Sequence, residues 1–98
     1  RYTPVEDTKG KLVGLVTARL LLRNYIKNKS NPKKTTLVSE IMIQNPITVT
    51  QDTNILDAMK LMKDNKIGCL PVVNGDELAG LISETEFLRI TARLLNRV

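Results

Sequence analysis

The sequence predicts a mixed α/β fold of the α+β kind, small sheets with helices laid beside them, built from one unit used twice. Three observations predict it. Short runs rich in Val, Leu, Ile and Thr are interrupted by turn-forming residues. Segments with apolar residues at helical spacing lie between and after those runs. Finally, "TPVEDTKGKLVGLVTARLLLR" at 3–23 lays over "LPVVNGDELAGLISETEFLR" at 70–89 with one residue gapped in the turn. Pro4 then falls on Pro71, Gly14 on Gly80, Thr17 on Ser83 and Arg23 on Arg89. Repeated units of this kind pack together to bury faces that neither buries alone.

Taken in order, residues 1–7 and 11–17 read as two strands joined by the turn-prone Asp7-Thr8-Lys9-Gly10. From 18 to about 28, Leu21, Leu22, Tyr25 and Ile26 recur at helical spacing, and the polar stretch 29–34 ends the pattern as a linker. A short helical turn over 37–42 leads to Pro46 and a brief strand at 47–50. Asp52 or Thr53 then caps a helix with Ile55, Ala58, Met59 and Met62 on one face and Asp57, Lys60, Lys63 and Asp64 elsewhere. Strands at 69–73 and 77–83 flank Asn74-Gly75, a dipeptide suited to the positive dihedrals of tight hairpins. The last helix runs from 84 to 96.

Composition narrows the function classes. The 98 residues are 42% hydrophobic, enough for one modest core. No apolar run is long enough to span a membrane, and no charged-then-apolar leader is present, so the chain reads as soluble and cytoplasmic. One cysteine, Cys69, has no internal disulfide partner, and with no histidine the usual metal sites and the histidine-based nucleophilic triads are excluded. No catalytic residue and no metal ligand is assigned. Cys69 reads as a small buried hydrophobe. The net charge of +5 favours anionic partners. Basic residues gather at Lys27, Lys29, Lys33 and Lys34, and again at Arg89, Arg93 and Arg97, spaced to form one stripe on the last helix. With only Tyr2, Tyr25 and Phe87 as aromatics and no reader motif, nucleic-acid binding through that stripe is a minor alternative.

The run "SEIMIQNPITVTQDTNILDAMKLMKDNKIGCLPVVNGDELAGLISETEFL" at 39–88 resembles a cystathionine-β-synthase (CBS) motif over its whole length. Residues 1–34 resemble the back half of a preceding motif plus linker, and 35–98 a complete second one. The resemblance implies a tandem pair packed about a pseudo-twofold axis, with clefts that bind adenine nucleotides or S-adenosylmethionine, and a homodimer formed through the helices. It also implies that the natural chain continues upstream with the front of the first motif, or that a second chain's helix fills the gap by exchange.

The motif's chemistry centres on Gly80, Ser83 and Glu86. Gly80 lacks a Cβ and admits close approach. Ser83, where strand gives way to helix, offers a hydroxyl to phosphate, and Glu86 accepts from a ribose diol. The family usually places Asp there, so Glu86 is a longer-armed departure. The same residues also read as a tight packing site, an ordinary N-cap and a complement to the helix dipole. The resemblance further implies adenine contacts from Ile67 and Gly68 with Ile47 and Thr48 facing, and phosphate contact from Arg19 across the axis. Arg19 also reads as a solvated surface arginine, and the strand residues as sheet core. In the first copy Thr17 keeps the hydroxyl but Leu20 replaces the acid. Losing a charge-assisted hydrogen bond there weakens binding roughly 10- to 150-fold.

The expectation is therefore a non-catalytic regulatory module, possible within a larger enzyme or transporter, that senses AMP, ADP, ATP or S-adenosylmethionine as a regulatory ligand, with no required cofactor. The alternative from another class is a ligand-free interaction or dimerisation module.

Overall fold

The computed structural model of the chain describes residues 1–31 and 35–96, so Lys33, Lys34 and Arg97 of the basic runs lie outside the described residues. The elements are β1 (Tyr2–Glu6), β2 (Leu12–Thr17), α1 (Ala18–Lys27), α2 (Val38–Ile41), β3 (Ile43–Gln44), β4 (Val49–Thr50), α3 (Ile55–Asn65), β5 (Cys69–Asn74), β6 (Glu77–Ser83) and α4 (Glu84–Asn96). They form two three-stranded sheets, ordered β1-β2-β3 and β4-β5-β6. The chain divides into two compact units, Arg1–Pro46 and Ile47–Val98. The mixed α+β class read from the sequence is the architecture observed.

Both units are built on the same antiparallel hairpin. In the first, Tyr2 pairs with Thr17, Pro4 with Leu15 and Val5 with Gly14. In the second, Cys69 pairs with Ser83, Pro71 with Leu81 and Val72 with Gly80. A bulge follows at Val5/Glu6 in one and at Val72/Val73 in the other. Even the exit into the helix repeats: the Ala18 N–H donates to the Arg1 carbonyl at 2.9 Å and the Glu84 N–H to the Gly68 carbonyl at 3.1 Å. The turns differ in detail. Asp7 Oδ1 accepts from the Lys9 and Lys11 amides, both at 2.9 Å, and Gly10 then takes a φ of +83° that disfavours a side chain. Gly75 does the same at +63° in the second hairpin.

The first unit adds α1, α2 and β3 to its hairpin. Thr17 caps α1, its Oγ1 accepting from the Leu20 amide at 3.1 Å. At the head of α2, Glu40 Oε2 reaches back to the Leu37 amide at 2.7 Å. β3 is a strand that the sequence pattern does not announce. It pairs Gln44 with Gly14 and Ile43 with Leu15. Two residues carry no readable alternation, so the edge of β2 decides their conformation. Gly14 is essential to the fit, because a Cβ there would run into the side chain of Met42 and lie 3.1 Å from the Ile43 carbonyl oxygen.

The second unit adds α3, α4 and a strand that is parallel. Val49 pairs with Val72 and Thr50 with Val73. Strand structure begins only at Val49; Ile47 and Thr48, expected within it, precede it as exposed chain outside any strand. The cap of α3 also differs from expectation. Asn54 Oδ1 accepts from the Leu56 amide at 2.8 Å, while Thr53 Oγ1 is turned back to the Thr50 amide at 3.1 Å. Asn caps as well as Asp and better than Thr, and it stands next to the first helical residue. Helix α3 ends at Lys66, whose φ of +53° is the left-handed conformation that halts a helix.

The core of this unit joins Val49, Ala58, Met62, Leu70 and Phe87, with Leu61, Ile67, Val72 and Ile82 packed against it. Ala58 and Met62 supply the inward face of α3; Ile55 and Met59, expected beside them, stand at its exposed margin.

Candidate functional site

The predicted site residues fall into the two units separately. Gly80, Ser83, Glu86, Ile67, Gly68, Ile47 and Thr48 belong to the second, and Thr17 and Arg19 to the first.

In the second unit the hairpin and α4 position the group. Gly80 lies in β6 opposite Val72, which in turn pairs with Val49, so Gly80 is two strands away from the end of the Ile47–Thr48 segment. A Cβ built on Gly80 meets no heavy atom within 4 Å among the described residues, which sets aside its reading as a tight packing site within the chain. Ser83 closes β6 opposite Cys69 and is half-buried. Its hydroxyl makes no hydrogen bond among the described residues, so the N-cap bond that Thr17 makes is not repeated here.

Gly68 is tied to the same corner, because its carbonyl accepts the first amide of α4. Ile67 donates its amide to the Met62 carbonyl at 3.0 Å and packs against the core. It therefore serves as core whatever else it does. Glu86, in the first turn of α4, is exposed and meets Arg89 at 3.6 Å. An ion pair between two groups this open to water contributes little and is readily exchanged for another partner. Two acidic residues, Glu84 and Glu86, occupy the first turn of α4, where the helix dipole favours them.

In the first unit the corresponding corner is occupied by its own chain. The Thr17 hydroxyl is committed to the Leu20 amide, Met42 fills the space above Gly14, and Leu20 stands where Glu86 stands in the repeat. Arg19 is exposed in the first turn of α1 and makes no ion pair among the described residues. Sequence reasoning found the Leu20 replacement but not Met42. The only signal for it was a glycine in mid-strand, which announces close approach without saying by what.

Cys69 is buried, and burial pushes its thiol above its ordinary value, which keeps it protonated and unreactive at neutral pH. Among the described residues no group of three His, Cys, Asp or Glu side chains is placed to hold a metal, and no helix is long and apolar enough to cross a membrane.

Comparison with known proteins bears on this arrangement. Among solved structures, the chain resembles a Vibrio cholerae protein given the name acetoin utilization protein AcuB, at 33% identity and a TM-score of 0.82, over 98% of this chain and 70% of that one. It resembles CBSX2, solved in complex with AMP, at 28% identity and 0.78, over 95% and 72%. It also resembles the CBS domain pair of protein MJ0100, solved with 5'-methylthioadenosine and S-adenosyl-L-methionine, at 28% identity and 0.76, over 93% and 69%. The mitochondrial CBS domain-containing protein CBSX3 of Arabidopsis thaliana is 38% identical over 80 residues, which cover 80% of this chain but only 38% of that protein. The chain thus spans well under half the length of that relative. The CBS domain family itself matches residues 38–93, from the head of α2 to the third turn of α4. With the hairpin and helix of that match repeated at residues 2–27 in the same register, the chain belongs to the CBS domain family.

Proposed function

We propose that the chain is a non-catalytic regulatory module that binds one adenine nucleotide or adenosyl compound at the β6–α4 corner of its second unit and signals its occupancy to a partner domain or subunit. The observation that carries this function is the Ser83 hydroxyl, half-buried at the start of a helix and uncommitted, where the equivalent Thr17 hydroxyl is used as a cap. Ser83 and the first amides of α4 receive a phosphate or another electronegative group. Glu86 leaves Arg89 to accept from the ribose diol, and the backbone at Ile67–Gly68 lies beside the base with Ile47 and Thr48. AMP, ADP, ATP and S-adenosylmethionine share the adenosine part that this assignment uses, and the AMP and S-adenosylmethionine complexes of related folds support it. A site centred on Thr17 is the poorer one, its hydroxyl engaged with the Leu20 amide and Leu20 standing in place of the acid, and exposed Arg19 remains a candidate phosphate contact.

A free, buried thiol fits a reducing compartment such as the cytoplasm. The exposed apolar residues Leu56, Leu88, Leu94 and Leu95 on α3 and α4 support a homodimer through these helices, which is also the ground for the second reading, a dimerisation module without ligand.

A thermal-shift screen of AMP, ADP, ATP, S-adenosylmethionine and GTP tests the function, since a ligand selective for the native state raises its melting temperature. We expect at least one adenosine-containing compound to do so, and Glu86→Ala to weaken it roughly 10- to 150-fold by calorimetry. No shift with any of them establishes the ligand-free reading; a shift that survives Glu86→Ala unchanged moves the ligand elsewhere.

A further inference from the structure

Helix α1 and the short α2 wall a cleft of about 360 Å³ within the first unit, near the small end of the range for small-molecule sites. Leu20, Arg23, Asn24 and Lys27 line it from α1, because positions three, four and seven apart share one face of a helix. Leu21 and Tyr25 lie on a different face. Thr36, Glu40 and Ile41 line the cleft from the other side.

The cleft holds charges of both signs. Arg23 and Lys27 stand one turn apart on α1 and Glu40 stands on α2, yet none of the three forms an ion pair among the described residues. Glu40 is held by its own helix: Oε2 accepts from the Leu37 amide at 2.7 Å, while Oε1 has no hydrogen bond among the described residues. The repeat within the chain shows what leaves Arg23 available. Its equivalent, Arg89, meets Glu86 at 3.6 Å, but Leu20 takes the place of Glu86 in the first unit.

Neutral polar groups complete the lining. Asn28 donates to the Asn24 carbonyl at 3.1 Å and side-chain oxygen at 3.0 Å, so the Asn24 side-chain nitrogen and the Asn28 side-chain oxygen have no partner among the described residues. Both asparagines and Thr36 are half-buried. Leu20 and Ile41, also half-buried, offer apolar surface to a short carbon chain.

Two cations against one carboxylate leave a single positive charge in excess. An α-amino dicarboxylic acid carries the inverse set, two carboxylates and one ammonium. We infer that this cleft is a binding site for an acidic amino acid, glutamate or aspartate, whose ammonium meets Glu40 Oε1 and whose carboxylates meet Arg23 and Lys27. The guanidinium of Arg23 presents a planar fork suited to a carboxylate, and Lys27 a mobile point charge. The asparagine side chains and the Thr36 hydroxyl take the remaining lone pairs and protons. The site shares no residue with the β6–α4 corner and is independent of the nucleotide assigned there.

Calorimetric titration of the chain with L-glutamate, L-aspartate, glutarate, which lacks the ammonium, and inorganic phosphate tests this. At least one of the two amino acids binds with a Kd at or below about 1 mM, and glutarate binds about tenfold or more weakly than glutamate. Glu40→Gln brings glutamate down to the level of glutarate, and Arg23→Gln weakens glutamate by about tenfold or more. Both positions are exposed, and glutamine still accepts from the Leu37 amide, so circular dichroism melts of the variants stay near that of the parent chain. Binding of neither amino acid overturns the inference. So does glutarate binding as tightly as glutamate, or a preference for glutamate that survives Glu40→Gln, since the ammonium then lies elsewhere. Phosphate binding as tightly as glutamate also overturns it, by showing a general anion site.

Discussion

The hairpin at the start of the chain and the one near its end share strand register, bulge position and exit into a helix, yet each is completed on a different side. The second acquires a parallel strand at β5 and a covering helix, and with them a core in which Leu70 is fully buried. The first acquires an antiparallel strand at β2 and the side chain of Met42, while its helix buries nothing. One local unit therefore has two kinds of partner, and similarity of the hairpins says little about how firmly each is held. The difference resides in what arrives from elsewhere in the sequence.

The widest gap is expected between a buried leucine of the second unit and an exposed one of the first. Leu70→Ala should cost about 2–5 kcal/mol, because a fully enclosed side chain leaves a cavity behind, whereas exposed Leu21→Ala should stay within about 0.5 kcal/mol. Urea unfolding of the two variants reads this directly, and comparable losses would mean that the two units are buried alike.

The glycines give the next largest contrast. Gly14→Ala drives a methyl group into Met42 and should destabilise by about 1–3 kcal/mol; Gly80→Ala has open space and a less flexible unfolded chain, so it should be neutral or stabilise by up to about 1 kcal/mol. Met42→Ala combined with Gly14→Ala should recover part of the loss. A double mutant no better than the product of its singles would place the clash elsewhere.

These pairs also show what was legible beforehand. The hairpins, α1, α3 and α4 could be read because each has a period or a turn dipeptide extending over several residues. The α+β class and the family followed from them. Residues Ile43 and Gln44 could not be read as a strand, since two residues have no period, and only the edge of β2 makes them extended. The cap of α3 was misplaced by one or two positions among Asp52, Thr53 and Asn54, all competent acceptors, because the choice depends on where Thr53 is drawn by Thr50. For the site, the missing acid at Leu20 was visible as a letter. The commitment of the Thr17 hydroxyl and the freedom of that of Ser83 were not, because both letters have the same chemistry.

That last contrast supplies a smaller effect. Thr17→Ala removes a formed cap and should cost about 1 kcal/mol, while Ser83→Ala should cost less in stability and instead weaken the proposed ligand. Chemical denaturation with and without the best ligand of the thermal-shift screen separates the two. Equal stability losses at both positions would erase the distinction between a used and an unused hydroxyl.

The smallest expected effect is in pH. Since burial raises the folded-state value of Cys69 above that of the unfolded chain, its contribution is present below the unfolded value and declines as pH rises through the ordinary range of a thiol toward the raised one. Cys69→Ala should flatten the alkaline limb of the stability profile relative to the parent. An unchanged slope would show that the thiol is not the group responsible.

The position of β3 bears on the order in which the molecule assembles. Each hairpin is a local event, its strands joined by a short turn, and such contacts form early. Strand β3 reaches β2 only after the chain has passed through α1, the linker and α2, so closing that pairing also closes a long loop. The first sheet therefore gains its third strand late and, at two residues, holds it weakly. In amide exchange under native conditions, the β2 edge facing β3 should open at lower free energy than the β1–β2 ladder beside it. Separating the protein at the boundary between its two sequence motifs would leave the earlier hairpin without that strand, because its third strand is encoded after the linker.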